Sequence, residues 1–203
     1  MSDSLRGPDP SAGVSRRSFL QGSGAAAAVA GMASGVAQAA EDAAGVGLVE
    51  GVVEISLDVN GQSRNAKVEP RTTLLEVLRY QFGLTGAKPV SNDGTSGAST
   101  VLVDGKPVMA STTLALAARG KKIQTVESLG GDKPDAVVQA FVKHDAQQCG
   151  FCTPGFVMAA RAFLDKHPRA TEDEIRKGLG GNICRCGTYA NVIQAAVAIA
   201  KEG

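Results

Sequence analysis

Gln148-Cys149-Gly150-Phe151-Cys152-Thr153-Pro154-Gly155 and Gly181-Asn182-Ile183-Cys184-Arg185-Cys186-Gly187 hold all four cysteines of the chain. Two tight pairs, C-x-x-C and C-x-C, brought together from distant stretches can offer four sulfur ligands to one centre. Three centres suit such a set. Tetrathiolate zinc usually takes C-x2-4-C on both sides, and a C-x-C pair bites narrowly for it. Disulfides fit an oxidising compartment, but bridging cysteines this close together closes tiny loops and restrains the unfolded chain little. A [2Fe-2S] rhomb takes two thiolates on each iron, so two close pairs match two irons, and this reading accounts for the most.

The surrounding residues favour an anionic group. Thr153-Pro154 reads as a helix start, with Thr153 as N-cap and Pro154 at the first helical position. Cys149 and Cys152 then lie in a loop feeding a helix N-terminus, whose N–H groups and dipole attract negative charge. Arg185 adds a positive charge between two ligands. Gly150, Gly155, Gly180, Gly181 and Gly187 would let backbone approach the sulfurs.

QCGFCTPG followed by GNICRCGTY resembles the helical iron-sulfur domain of the molybdenum hydroxylases, the xanthine dehydrogenase and aldehyde oxidoreductase family, in its separate small-subunit form. The resemblance implies one [2Fe-2S] cluster on Cys149, Cys152, Cys184 and Cys186, next to the molybdopterin of a large catalytic subunit. It also implies that Gln148 and Cys186 contact the pterin.

The chain has 203 residues and a formal net charge of +1. Without the first 39 residues, basic and acidic side chains number 18 each. That balance points to neither nucleic acid nor an anionic membrane as partner. Ser15-Arg16-Arg17-Ser18-Phe19-Leu20-Gln21 opens a Gly/Ala run ending in Ala37-Gln38-Ala39, which looks like a twin-arginine export signal with an A-x-A cleavage site at Ala39. Gly22, Gly24, Gly31, Ser34 and Gly35 dilute the run too far for a membrane span. The reading is therefore a signal peptide at 1–39, a small-residue linker at 40–50 and a mature protein delivered to the periplasm. An exported cluster protein has to acquire iron and sulfide before it crosses, which the twin-arginine route permits because it carries folded chains.

From Val52 the pattern alternates. Val53, Ile55, Leu57 and Val59 share a face, Asn60-Gly61 signals a hairpin, and a return strand runs through Ala66 and Val68. Thr73-x-x-Glu76 is a capping box ahead of a helix striped by Leu74, Leu75, Leu78 and Phe82 and ended by Gly83. Strands at Val101–Val103, Val108–Ala110 and Ile123–Val126, with a turn at Asp104-Gly105, complete the layout of a β-grasp ferredoxin-like domain at 51–130. LRYQFGLTGAKPV resembles the segment before the cluster loop of the family's N-terminal domain. The second domain, 131–203, carries four helical stripes: Val137, Val138, Phe141 and Val142; Phe156, Val157, Ala160, Phe163 and Leu164; a short helix capped by Thr171-x-x-Glu174; and Val192, Ile193, Ala196, Val197 and Ala200. The fold class is α+β, a β-grasp domain followed by a four-helix [2Fe-2S]-binding domain.

The chain departs from its family in the β-grasp loop. Ser91, Ser96, Ser99 and Ser111 occupy the C-x4-C-x2-C…C positions of a ferredoxin cluster. A hydroxyl is a far weaker acid and a harder ligand than a thiol, so a second cluster is predicted to be absent.

No nucleophile and base, phosphate loop or substrate pocket is legible, so the chain has no catalytic residues of its own. His144 and His167 read as helix-end or surface histidines, Tyr189 as packing or a helix start, and Lys121-Lys122 as a solvated turn. The resemblance implies the electron-transfer subunit of a periplasmic molybdenum hydroxylase, with aldehydes ahead of N-heterocycles or purines as substrates of the complex. With the outer cluster missing, a c-type cytochrome docked near the C-terminal domain is the expected acceptor, a FAD subunit the other candidate. The competing class is a non-redox adaptor whose four cysteines bind zinc or pair as disulfides.

Overall fold

The computed structural model describes residues 49–202. The export signal, its cleavage site and the linker up to Leu48 lie outside the described residues.

The sheet starts from the hairpin. β1 (Val53–Val59) and β2 (Gln62–Val68) pair antiparallel with Val59 opposite Gln62. Asn60 and Gly61 both take positive φ, 55° and 76°, as a two-residue turn matching the strand twist requires. Ile55, Leu57 and Val59 are buried on one face. β3 (Thr100–Val103) and β4 (Lys106–Met109) form a second hairpin, and β5 (Lys122–Gln124) enters between the two. The order is β2-β1-β5-β3-β4, with β5 parallel to β1 and antiparallel to β3. Strand boundaries differ from the sequence reading: β3 begins at Thr100, β4 spans Lys106–Met109 rather than Val108–Ala110, β5 begins at Lys122 and ends at Gln124, and Val126 opens a 3-10 turn over Val126–Leu129.

The Thr73 capping box forms in full, both halves satisfied, at the start of α1 (Leu74–Glu76). From Val77 to Gln81 the coil widens to a π-type turn, closed by the Phe82 N–H donating to the Val77 carbonyl at 3.1 Å. Gly83 follows at φ 71°. The wide turn brings Val77 into the core beside Leu74, Leu75 and Leu78, while Phe82 is only half-buried.

The other helices are α2 (Ala136–Lys143), α3 (Thr153–Lys166), α4 (Glu172–Gly178) and α5 (Tyr189–Glu202), which brings the described α-helices to five. Asp135 caps α2 by accepting the Val137 N–H, and Thr171 with Glu174 makes the second complete capping box at α4. Val137, Phe141, Phe156, Ala160, Leu164, Ile175, Val192, Ile193 and Ala196 share one core. Val142 was expected on that stripe but is 74% exposed, because five residues from Val137 it has turned about 140° away. His144 and His167 do end α2 and α3.

β3 joins the two halves. Val101 and Val103 face the sheet core, whereas Leu102 points the other way and packs with Met158 and Ala162 of α3. The sheet thus has α1 over one face and α3 over the other, and all four β3 residues are buried.

Candidate metal centre

Cys152 is the N-cap residue of α3, and Thr153 is its first helical residue with Pro154 close behind. The cap therefore lies one position earlier than the sequence suggested, and the Thr153 hydroxyl does no capping. It is buried without a hydrogen-bond partner among the described residues. Gly150, between the first two cysteines, has φ 77°, and Gly187, just past the last, has φ 79°. Both ligand loops depend on these left-handed turns.

The second loop is held by side chains. The Cys184 N–H donates to the Tyr189 hydroxyl at 2.8 Å, reaching forward to the first residue of α5. Tyr189 in turn meets Phe156 edge to face at 6.0 Å between ring centres. The Cys184 sulfur lies 3.1 Å from the Thr188 hydroxyl. The buried Asn182 donates to the Gly97 carbonyl at 2.9 Å, and the Ile183 N–H to the Ser96 carbonyl at 3.0 Å. Sequence reading missed these anchors. Tyr189 offered only its position near a ligand, and a reach from Asn182 to a loop 85 residues earlier leaves no local signal.

The four thiols are free, with Cys184 buried, Cys152 half-buried, and Cys149 and Cys186 exposed. Their electrostatics record their convergence. Burial pushes the Cys152 thiol up to about 12, and the neighbouring sulfurs of Cys184 and Cys149 push the same way. Burial would raise Cys184 too, but hydrogen bonds from the Thr188 hydroxyl and backbone and from Cys152 bring it down to about 7. The Cys149 backbone N–H lowers Cys186, yet the Cys149 side chain and the nearby sulfur charges leave it raised overall. The two motifs are thus close enough to influence one another, Cys152 with Cys184 and Cys149 with Cys186, alongside the neighbours within each motif.

Among the described residues no group of three or more His, Cys, Asp or Glu is gathered as a single metal ion would need. A two-iron centre takes two thiolates per iron and spreads its ligands over a wider frame. The donor set fits it: four soft sulfurs from two loops, an α3 N-terminus alongside, and an unpartnered hydroxyl next to Cys152.

Gly155 was expected to make room for sulfur, but the space is filled otherwise. A Cβ there would come within 2.3 Å of the Gly97 carbonyl, so glycine lets α3 press against the serine loop. The four serines meet in two pairs: Ser91 and Ser96 hydroxyls are 2.8 Å apart within the loop, and the Ser99 hydroxyl lies 2.9 Å from that of Ser111, which follows β4.

Fold and site together define an iron-sulfur protein. Residues 125–197 match the [2Fe-2S] binding domain family, and residues 13–33 match the twin-arginine translocation pathway signal sequence. The nicotinate dehydrogenase small FeS subunit of Eubacterium barkeri is 42% identical over 74% of this chain and 96% of its own length. The aldehyde oxidoreductase iron-sulfur-binding subunit PaoA of Escherichia coli K12 is 40% identical over 71% of this chain and 70% of its own. Quinoline 2-oxidoreductase from Pseudomonas putida 86 superposes with a TM-score of 0.71 at 42% identity, covering 74% of this chain and 94% of that one. The chain belongs to the iron-sulfur small subunits of the molybdenum hydroxylases, the xanthine, aldehyde and nicotinate dehydrogenase family. It is a subunit of an oxidoreductase, carries a [2Fe-2S]-binding domain and bears an export signal. Zinc and disulfide adaptor readings are not favoured. No described helix is long and apolar enough to cross a membrane.

Proposed function

We propose that the chain is the electron-transfer subunit of a periplasmic molybdenum hydroxylase, with one [2Fe-2S] cluster on Cys149, Cys152, Cys184 and Cys186. The observation that carries the reading is that all four free cysteines, in two close pairs, fall inside the stretch 125–197 that matches the [2Fe-2S] binding domain family. When bound, the cluster supplies one-electron storage between a molybdopterin-binding catalytic subunit and an external acceptor.

The residues divide the work. Cys152 and Cys184 anchor the buried side, where the Thr188 hydroxyl and the α3 N-terminus supply a hydrogen bond and positive potential that stabilise thiolate charge, while the Tyr189 hydroxyl accepts the Cys184 N–H and fixes the loop. Cys149 and Cys186 face outward with Gln148 and Arg185. Phe151 and Ile183, 48% and 54% exposed, give this rim an apolar surface suited to a protein partner. We assign the catalytic subunit to this face, with Gln148 and Cys186 nearest its pterin.

Residues 51–130 form a β-grasp unit and 131–203 a helical cluster-binding unit on this reading, with the signal at 1–39. The serine quartet leaves the β-grasp unit without a second cluster, so the acceptor has to approach the C-terminal cluster itself. A c-type cytochrome suits the periplasm; a FAD subunit is the alternative acceptor. Aldehydes come ahead of N-heterocycles and purines as substrates of the complex.

Iron analysis and electron paramagnetic resonance of the dithionite-reduced protein test this. The expected result is about two irons per chain and a single rhombic [2Fe-2S] signal. Zinc in place of iron, or a second distinct iron signal, overturns it.

A further inference from the structure

We propose that Ser91, Ser96, Ser99 and Ser111 form a hydrogen-bonded plug that holds the loop in the shape a cluster would impose, and that this shape positions the Cys184 loop. The pairing of the hydroxyls supports this. Ser91 bonds Ser96, and Ser99 bonds Ser111, at 2.8 and 2.9 Å. The Ser96 N–H also donates to the Ser91 hydroxyl at 3.0 Å, and the Ser111 N–H to the Ser99 hydroxyl at 3.3 Å. The four thus sort into two pairs, first with second and third with fourth, as two irons would sort four thiolates on a C-x4-C-x2-C…C frame. Ser99 and Ser111 are 3% and 8% exposed, so their hydroxyls need each other.

The plug has something to support. Ser96 and Gly97 present the carbonyls that Ile183 and Asn182 bond, and Gly97 is also where α3 touches the loop at Gly155. A Cβ on Gly97 itself would come within 2.6 Å of the Gly181 carbonyl. The Cys184 loop therefore rests on a segment whose own shape is fixed by four hydroxyls. Because the frame is retained, restoring sulfur should restore a ligand set. Ser111 lines an open cavity of about 720 Å³ with Asn92 and Pro89, so one member of the quartet borders the surface.

Two variants of the full chain test the proposal, and neither readout needs the hydroxylase assignment to hold. The first, S91C/S96C/S99C/S111C, is incubated anaerobically with ferric iron and sulfide. Two ferric ions and two sulfides then bind while four thiols release four protons. The expected gain is about two irons over the wild-type chain treated alike, with an additional [2Fe-2S] signal after reduction. A folded variant that gains no iron overturns the retained frame.

The second, S91A/S96A, removes one hydroxyl pair. The substitution also deletes the acceptors of the Ser96 and Ala98 N–H groups, so hydrogen exchange at residues 94–99 and at the Ile183 amide should quicken by about five-fold or more, the effect of losing at least one net hydrogen bond. S56A serves as control, because it removes an equivalent pair, Ser56 with Ser63 at 2.8 Å, on the exposed β1–β2 hairpin. It should leave the Ile183 amide unchanged. Wild-type exchange at Ile183 in S91A/S96A overturns the plug, and this holds even if the four-cysteine variant does not fold. A wild-type chain without iron would count against the cluster assignment above, while the gain in the four-cysteine variant would still report on the quartet.

Discussion

The Tyr189 hydroxyl ties a cluster-loop amide to the start of α5 at 2.8 Å while its ring packs edge to face on Phe156. Tyr189→Phe keeps the ring and deletes the acceptor, leaving the partly buried Cys184 N–H unpaired. The expected cost is about 1 kcal/mol, read as a lower urea midpoint at unchanged slope, together with a shift in the g values of the reduced cluster. An unchanged spectrum would mean that Tyr189 acts through packing alone. The contrast with the cysteines shows what a sequence carries at this scale. Their spacing states a ligand set because two close thiol pairs can together supply the four sulfurs of one [2Fe-2S] centre. Tyr189, Thr188 and Asn182 hold the Cys184 loop by reaching across turns, with no spacing rule to reveal them.

Among the elements, the legible ones were those set by local physics. Both capping boxes, the Asn60-Gly61 turn and the Asp104-Gly105 turn appear where the residues placed them, because each is decided within four residues. The π-type turn at Val77–Gln81 was not legible, since its stripe of Leu74, Leu75 and Leu78 is also that of an ordinary helix and only tertiary fit favours the wider coil. The start of α3 shows the same limit. Gly155 looked like a ligand-loop glycine, yet its role is contact with the Gly97 carbonyl. Gly155→Ala should therefore force α3 and the serine loop apart and cost about 1–3 kcal/mol in unfolding free energy. The equivalent change at Gly180, where a Cβ would meet nothing nearer than the Lys177 carbonyl at 3.2 Å, should cost less. Equal losses at the two positions in paired urea titrations would remove the close-approach argument.

For the whole molecule, order of events matters more than any single contact. The sheet core and the helical core meet through Leu102, Met158 and Ala162, and the Cys184 loop is positioned by hydrogen bonds from both halves. The ligand set therefore assembles only when the chain is folded. A chain threaded unfolded into an oxidising compartment would meet disulfide chemistry with its thiols dispersed. On the proposed cluster assignment, the twin-arginine signal at residues 13–33 removes that conflict, because a route that carries folded chains lets iron bind in the compartment where iron and sulfide are supplied. Replacing both arginines, R16K/R17K, should retain the chain on the inner side as a full-length, iron-loaded protein. Cell fractionation with immunodetection would find the longer form inside, and that fraction should show the same reduced [2Fe-2S] signal as the exported wild type. A retained chain lacking iron would instead place cluster insertion after export. The same result would break the link between the signal at one end of the sequence and the four cysteines at the other.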